Sequence, residues 1–367
     1  MLKRKLISAA LCAALTIMTP FIFTGCGGKN DGTASAHVFY YTYSDPYISS
    51  VRSTLDGKLK DENISYQDYD SNNSQTTQTE QVKTAITKGA SLIAVNIVTT
   101  GSDDAAGSIV QAARDRNIPV IFFNREVSDD VVNSYDRCIF VGTDAAEAGY
   151  LQGDMIGDYL TEHFDEVDLN HDGEISYVMF MGEKGNNEAI YRTKYSVENA
   201  DRKLEAAGRP PLRFYDSSNT DKYLLDRDGK WSAQASNEYM TTLLTSYNTA
   251  GGNMIELVIC NNDNMAEGAI TALSAAGFNT GAEGSVTIPV FGVDATDAAR
   301  SLIASGRMTG TVKQDSEGMA EALRLAIASA QSGGGLLDRL GDYTIDDGVS
   351  KVRINYSAYL GEDGSAK

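Results

Sequence analysis

At 367 residues, with 42% hydrophobic and 22% charged side chains, the chain is long enough for two domains of ordinary size and too apolar to be disordered. A formal net charge of −19 argues against nucleic acid as a partner, since a phosphate backbone would be repelled. Three histidines and four cysteines leave little material for a zinc centre or a histidine-based triad.

The N-terminus stands apart. Lys3, Arg4 and Lys5 precede an apolar run over 6–23, which ends in Thr24-Gly25-Cys26. A basic start, an apolar core and a small residue before a cysteine compose a lipoprotein export signal over 1–25, with Cys26 lipidated as the mature N-terminus. Phe23 stands where such signals usually carry an aliphatic residue. A permanent transmembrane helix is the alternative, and it would need a longer run than one interrupted by Thr16 and Pro20. Residues 26–35 then form a flexible tether that holds the folded part to the outer face of the cell membrane.

From residue 36 short apolar runs alternate with amphipathic stretches. Strands are expected over 37–43, 64–69, 92–97 and 120–124, with helical periodicity over 47–60, 75–88 and 102–116 between them. A strand at 138–141 leads through 142–144 into a long helix, 145–163. The alternation then restarts, with strands at 175–181, 212–215, 257–260 and 289–293 separated by helices near 188–207, 232–246 and 266–276. A strand at 308–312, a helix over 317–331 and a tail, 343–359, that reads as a pair of strands complete the chain. Regular βα alternation implies parallel sheets with right-handed crossovers, and its repetition implies two α/β lobes facing a cleft. Cys138 and Cys260 lie within or beside apolar runs, as buried free thiols do; a disulfide between them is the alternative.

Between the lobes' elements, Asp168-Leu-Asn170-His-Asp172-Gly173-Glu174-Ile-Ser176 places oxygen side chains at every second residue around a glycine. This is the start of an EF-hand-type calcium loop, with side chains at positions 1, 3 and 5 and the carbonyl at 7 as ligands. Position 12, normally a bidentate glutamate, is Met179. Either no ion binds and the run is a polar turn, or a carboxylate from elsewhere completes the shell.

Open parallel sheets bind ligands beyond the C-terminal ends of their strands. Here those positions hold Tyr41, Asp45 and Tyr47, then Asn124, the segment 182–192 with Arg192, then Asn262, and Asp294. Any one of them reads equally well as a helix cap or a polar strand end. Their recurrence after strand after strand fits a neutral polyhydroxylated ligand, whose hydroxyls donate to Asp and accept from Asn or Arg while its ring stacks on aromatics. Trp231, the only tryptophan, sits in the polar run Gly229-Lys230-Trp231-Ser232 and reads as a stacking residue and not as core.

These residues, in this order, resemble the galactose/glucose-binding family of bacterial ABC sugar uptake and chemotaxis. The likeness covers about 38–356 and rests on Tyr41 with Ser44-Asp45-Pro46-Tyr47, Phe122-Phe123-Asn124-Arg125-Glu126, Val141-Gly142-Thr143-Asp144, the Asp168 loop, Gly182-Glu183-Lys184-Gly185, Glu256 with Cys260-Asn261-Asn262-Asp263, and Phe291-Gly292-Val293-Asp294. The resemblance implies a periplasmic binding protein type I fold, two Rossmann-like α/β lobes with parallel sheets. Their expected bounds are 36–142 with 315–352 and 143–314 with 353–361, joined by a three-segment hinge near 142–144, 313–315 and 351–353. It implies Tyr47 and Trp231 as the aromatic sandwich around a pyranose. Tyr41, Asp45, Asn124, Asn262, Asp294 and Arg192 would be its polar contacts. It also implies a structural Ca2+ held by Asp168, Asn170, Asp172, the Glu174 carbonyl and Ser176, with Glu256 as the missing glutamate.

Several positions depart from the family's pattern. Among the sugar contacts that the resemblance implies, Asn186 replaces a histidine, Glu188 an aspartate, Gln314 an asparagine and Tyr47 a phenylalanine; in the calcium loop Ser176 replaces a glutamine that it is too short to match without an intervening water. The expectation is a non-enzymatic, monomeric solute-binding lipoprotein. It would capture galactose or glucose by hinge closure and deliver the sugar to an ABC permease. Other classes stay open: a sugar-sensing subunit for a membrane receptor, a binder of another monosaccharide, or a glycosidase using paired carboxylates such as Asp45 and Glu188. A transcription factor would need a helix-turn-helix ahead of the first lobe, where this chain has its leader and tether.

Overall fold

The computed structural model describes residues 36–361, so the leader, the tether and Cys26 lie outside the described residues. In chain order the first half runs β1 (Ala36–Tyr40), α1 (Pro46–Asp61), β2 (Tyr66–Asp70), α2 (Gln75–Thr87), β3 (Ile93–Val95), α3 (Asp104–Arg114), β4 (Val120–Phe123), α4 (Asp129–Asn133) and β5 (Cys138–Gly142). The second half runs α5 (Ala145–Val167), β6 (Ser176–Met181), α6 (Asn187–Ala206), β7 (Arg213–Phe214), β8 (Leu224–Leu225), α7 (Ala233–Ser246), β9 (Leu257–Cys260), α8 (Asp263–Ala275), β10 (Val290–Asp294), α9 (Asp297–Ala304) and β11 (Gly310–Gln314). Helix α10 (Ser316–Gln331) and strands β12 (Thr344–Ile345), β13 (Lys351–Arg353) and β14 (Tyr356–Tyr359) follow.

Two seven-stranded sheets result, ordered β12-β13-β5-β4-β3-β1-β2 and β14-β11-β10-β9-β6-β7, with β8 beside β6. Pairing is parallel except for β12 on β13 and β14 on β11. Both faces of each sheet are covered. In β1, Val38 and Tyr40 join the core under α1 and α10, while Phe39 points into the core under α2 and α3. In β6, Tyr177 and Met179 pack toward α5 and α6, and Val178 and Phe180 toward α7 and α8. Two-sided burial is why these strands read as continuous apolar runs and not as alternating ones.

Helix starts follow local chemistry. Asp45 caps α1 by accepting from Ile48 N, with Pro46 in the first turn, where its missing N–H costs nothing. Helices α5 and α6 pack at backbone distance: a Cβ on Gly153 would lie 2.6 Å from Asn199 Cβ and 2.7 Å from the Ser196 carbonyl oxygen. The α5 helix bends at His163, whose φ of −119° is non-helical.

The chain passes between sheets after β5, after β11 and after β13. The last passage falls at Ile354-Asn355, so Arg353 still belongs to the first sheet. There Arg353 donates to the Thr143 carbonyl (2.7 Å) and to Glu126 (3.0 Å), tying two passages together.

Several expectations shift. The tail holds three strands, not two, and divides them between the sheets. The strand expected at 308–312 occupies Gly310–Gln314, and that at 64–69 occupies Tyr66–Asp70. Helices α4 and α9, of 5 and 8 residues, escaped notice because they are too short to show periodicity. Cys138 and Cys260 are buried, unpaired thiols, in different sheets.

Candidate functional site

The residues nominated in the sequence meet around one small cavity, about 40 Å³ in volume. Tyr41, Asp45, Tyr47 and Asn124 reach it from the first lobe; Asn186, Glu188, Arg192, Trp231, Asn262, Asp294 and Gln314 reach it from the second. Ile48 and Arg125 also line it and were not nominated. Arg125 follows Asn124 immediately, so its position past a strand end was the available signal.

Asp45, Asn186 and Asn262 are both caps and lining residues. Each spends one side-chain oxygen on a helix N-terminus, accepting from Ile48, Ala189 and Met265 N–H respectively. The remaining atom meets the cavity wall: Asp45 Oδ2 accepts from the Tyr41 hydroxyl (2.7 Å), and Asn262 Nδ2 donates to the Trp231 carbonyl (3.4 Å). Cap and binding readings therefore do not compete. Asn124 is oriented by Asn96, whose amide donates to Asn124 Oδ1 (3.0 Å) while its own oxygen accepts from Tyr41 N–H. Asn96 is fully buried, and nothing in its local context marked this positioning role.

Backbone strain gathers at the cavity. Asn124 has φ +60°, Trp231 +54° and Asp294 +127°, values unfavourable for any residue with a Cβ and most of all for tryptophan. Trp231 is 6% exposed and packs on Met181 and Ala189, so it is buried where a polar setting suggested otherwise. Gly182 makes room for it: a Cβ there would stand 2.2 Å from the indole ring.

Arg192 is the electrostatic centre. It donates to Glu188 (2.9 Å), the Tyr356 hydroxyl (2.7 Å), the Asn261 carbonyl (2.9 Å) and Gln314 Oε1 (3.3 Å). Glu188 also accepts from Thr143 and Tyr356. Burial pushes the Glu188 carboxyl above its ordinary pKa, and Arg192 opposes that rise. Tyr356, from the late strand β14, is a further residue that sequence reasoning missed, because only the chain's return to the second sheet brings it here.

The Asp294 carboxylate accepts no hydrogen bond among the described residues and is 9% exposed. Burial first, then repulsion from Asp263, raises its pKa well above the carboxylate range. Arg192 Nε, Arg125 Nε, Gln314 Nε2 and the Tyr47 hydroxyl are likewise buried without protein partners. Unmet buried polar groups are costly, so a cavity that collects both donors and an acceptor is built for a ligand supplying the complements.

At the opposite end of the second sheet, the 168–176 loop joins α5 to β6. Gly173 adopts φ +81°, as the tight turn requires. Asp168 accepts from Asp172 N–H (3.1 Å) and Gly173 N–H (2.9 Å). Glu256, just ahead of β9, accepts from Leu169, Asn170 and Ser176 N–H. Asn170 Oδ1 accepts from Asp172 N–H, and Arg213 pairs with the Asp172 and Glu174 carboxylates. Ser176 Oγ donates to the Met254 carbonyl. Among the described residues no three His, Cys, Asp or Glu side chains gather at one metal point. The donor set is nevertheless oxygen only, and the charges of Asp168 and Asp172 act on Glu256, the chemistry that suits a hard cation.

This chain belongs to the periplasmic binding protein family, whose domain matches residues 36–334. It is 35% identical over 287 residues to the D-galactose/methyl-galactoside binding periplasmic protein of Haemophilus influenzae, covering 78% of each chain. It is 29% identical over 266 residues to a putative rhizopine-binding protein of Rhizobium meliloti, covering 72% of each. Among solved structures, an ABC transporter solute binding protein from Bacillus halodurans with bound myo-inositol shares the fold, with TM-score 0.68, 24% identity, and 92% and 97% of the two chains covered. One from Clostridium phytofermentans with bound β-D-glucose shares it with TM-score 0.69, 19% identity, and 89% and 94% covered.

Proposed function

We propose that this protein is the solute-binding component of an ABC sugar importer, capturing a neutral hexose, galactose or glucose, and presenting it to a membrane permease. The observation that carries this reading is a cavity in which two lobes bring together caps, carboxylates and amides with unmet hydrogen-bonding capacity, alongside Tyr47 and Trp231. The likeness to a D-galactose/methyl-galactoside binding protein narrows the class. A hydrolytic role is disfavoured, because Glu188 is held by Arg192, Tyr356 and Thr143, and Asp45 by a helix cap and Tyr41, which leaves neither free to shuttle protons.

Export and lipidation at Cys26 would hold the monomer at the membrane beside its permease. A Ca2+ bound through Asp168, Asn170, Asp172, the Glu174 carbonyl and Glu256 would brace the far end of the second lobe. Titration of the purified protein with a panel of hexoses and pentoses, followed by Trp231 fluorescence, tests the ligand class. Saturable quenching or enhancement by galactose or glucose is expected; silence toward every monosaccharide would sink the reading.

A further inference from the structure

Beside the cavity an ion pair joins the lobes. Arg125, just past β4 in the first, donates from Nη2 to Glu183 Oε2 on the β6–α6 turn of the second at 2.5 Å, with side chains 5% and 20% exposed. The same Nη2 donates to the Val98 carbonyl (2.8 Å), and the guanidinium lies 4.4 Å from the Tyr41 ring centroid, so the first lobe holds it in place. Glu183 Oε2 in turn accepts from Trp231 Nε1 and Asn186 Nδ2, both at 3.4 Å. Beside the pair the backbones meet: a Cβ on Gly185 would lie 3.5 Å from Gly101 Cα.

We propose that Arg125 and Glu183 form the clasp that holds the cleft shut and sets ligand release, and that Arg125 Nε, buried in the cavity wall without a partner, contacts a hydroxyl of the bound sugar. The second clause rests on the hexose reading above. The two charges sit on different lobes, so opening separates them and lets each hydrate. The pair therefore adds to closure and not to folding of either lobe. Because Glu183 also holds the Trp231 and Asn186 side chains, the contact that shuts the cleft fixes two groups of the second lobe against the first. Removing one partner leaves the other charge buried only in the closed form, so the cost falls on residence time and not on encounter. A lysine cannot replace Arg125, since one fork must give Nη2 to the clasp and Nε to the ligand.

Spin labels at S102C and K184C, exposed positions flanking the Gly101–Gly185 contact, report the opening, while Cys138 and Cys260 stay buried and unlabelled. Melting temperatures within about 2 °C of wild type establish that the variants fold. In Glu183→Gln the interlabel distance lengthens without sugar, and galactose koff by stopped-flow tryptophan fluorescence rises at least about tenfold while kon stays within about twofold. Arg125→Lys keeps the short distance but weakens galactose binding by about fivefold or more. The charge-swapped Arg125→Glu/Glu183→Arg double variant regains the short distance and not the affinity. An unchanged distance distribution together with unchanged koff in Glu183→Gln overturns the clasp, and unaltered affinity in Arg125→Lys overturns the Nε contact. If no sugar binds the wild type, the hexose reading and the Nε contact fall together, while the distances alone still decide the clasp.

Discussion

The second lobe carries oxygen-rich clusters at both ends of one sheet, and they are finished differently. At the N-terminal ends of β6 and β9, the Asp168 and Glu256 oxygens accept from N–H groups of the 168–176 loop, and Arg213 pairs with the outer carboxylates. At the C-terminal ends, among the described residues, Asp294 accepts no hydrogen bond and Arg192 Nε and Gln314 Nε2 have no partner. A structural cluster closes on its own backbone. A site for an exchangeable ligand keeps hydrogen-bonding capacity unspent, at a cost in stability that the ligand repays on binding.

That contrast can be broken most directly at Arg192. Replacing it with methionine leaves Glu188 buried without its cation, a loss of about 3–5 kcal/mol, so galactose affinity by calorimetry should fall at least about a hundredfold. Retained affinity would remove Arg192 from the binding centre. Trp231→Ala should weaken binding by about ten- to a hundredfold through lost ring contact, with the 168–176 loop unaffected.

The loop end is sharpened by removing metal. With calcium at about 100 times its dissociation constant the bound ion adds about 2.7 kcal/mol, so chelation should lower the melting temperature by about 5–10 °C while galactose affinity stays within about twofold. A melting curve indifferent to both chelator and added calcium would end the calcium assignment.

The smallest expected effect concerns a third cluster, away from both. In the first lobe the Asp56 and Asp68 carboxyls lie buried against each other, beside Arg52 and the Tyr40 hydroxyl. Burial and the adjacent Asp56 raise the Asp68 pKa to about 8, against which Arg52 and Lys60 act weakly. An acid whose folded pKa is raised prefers its proton in the fold, so stability should fall as pH climbs from about 4 to about 8. Asp68→Asn, which imitates the protonated form, should melt a few degrees above wild type at pH 8 and alongside it at pH 4. Equal melting of the two at both pH values would show that the carboxyls do not share a proton.

Much of the site was legible because the chemistry recurs at fixed places: a polar residue past each parallel strand declares itself one strand at a time, as Asp45, Asn124, Asn262 and Asp294 do. Arg125 lay beside Asn124 yet carried no separate mark, since its partner Glu183 is 58 residues away. Ser176 shows the complementary case: spacing placed it in the loop's ligand series, while its bond to the Met254 carbonyl, from a segment 78 residues away, carried no mark in the sequence.

The local grammar of the chain determined the alternation of strands and helices, the doubling into two lobes, the turn at Gly173 and the caps at the strand ends, because burial periodicity and capping act over a few residues. Only the tertiary structure decided that β13 and β14 part between the sheets, that Tyr356 returns to Arg192, that Trp231 sinks onto Gly182, and which buried groups stay unpaired. Those outcomes depend on contacts between residues far apart in sequence, where desolvation and partner geometry, not local preference, set the energy.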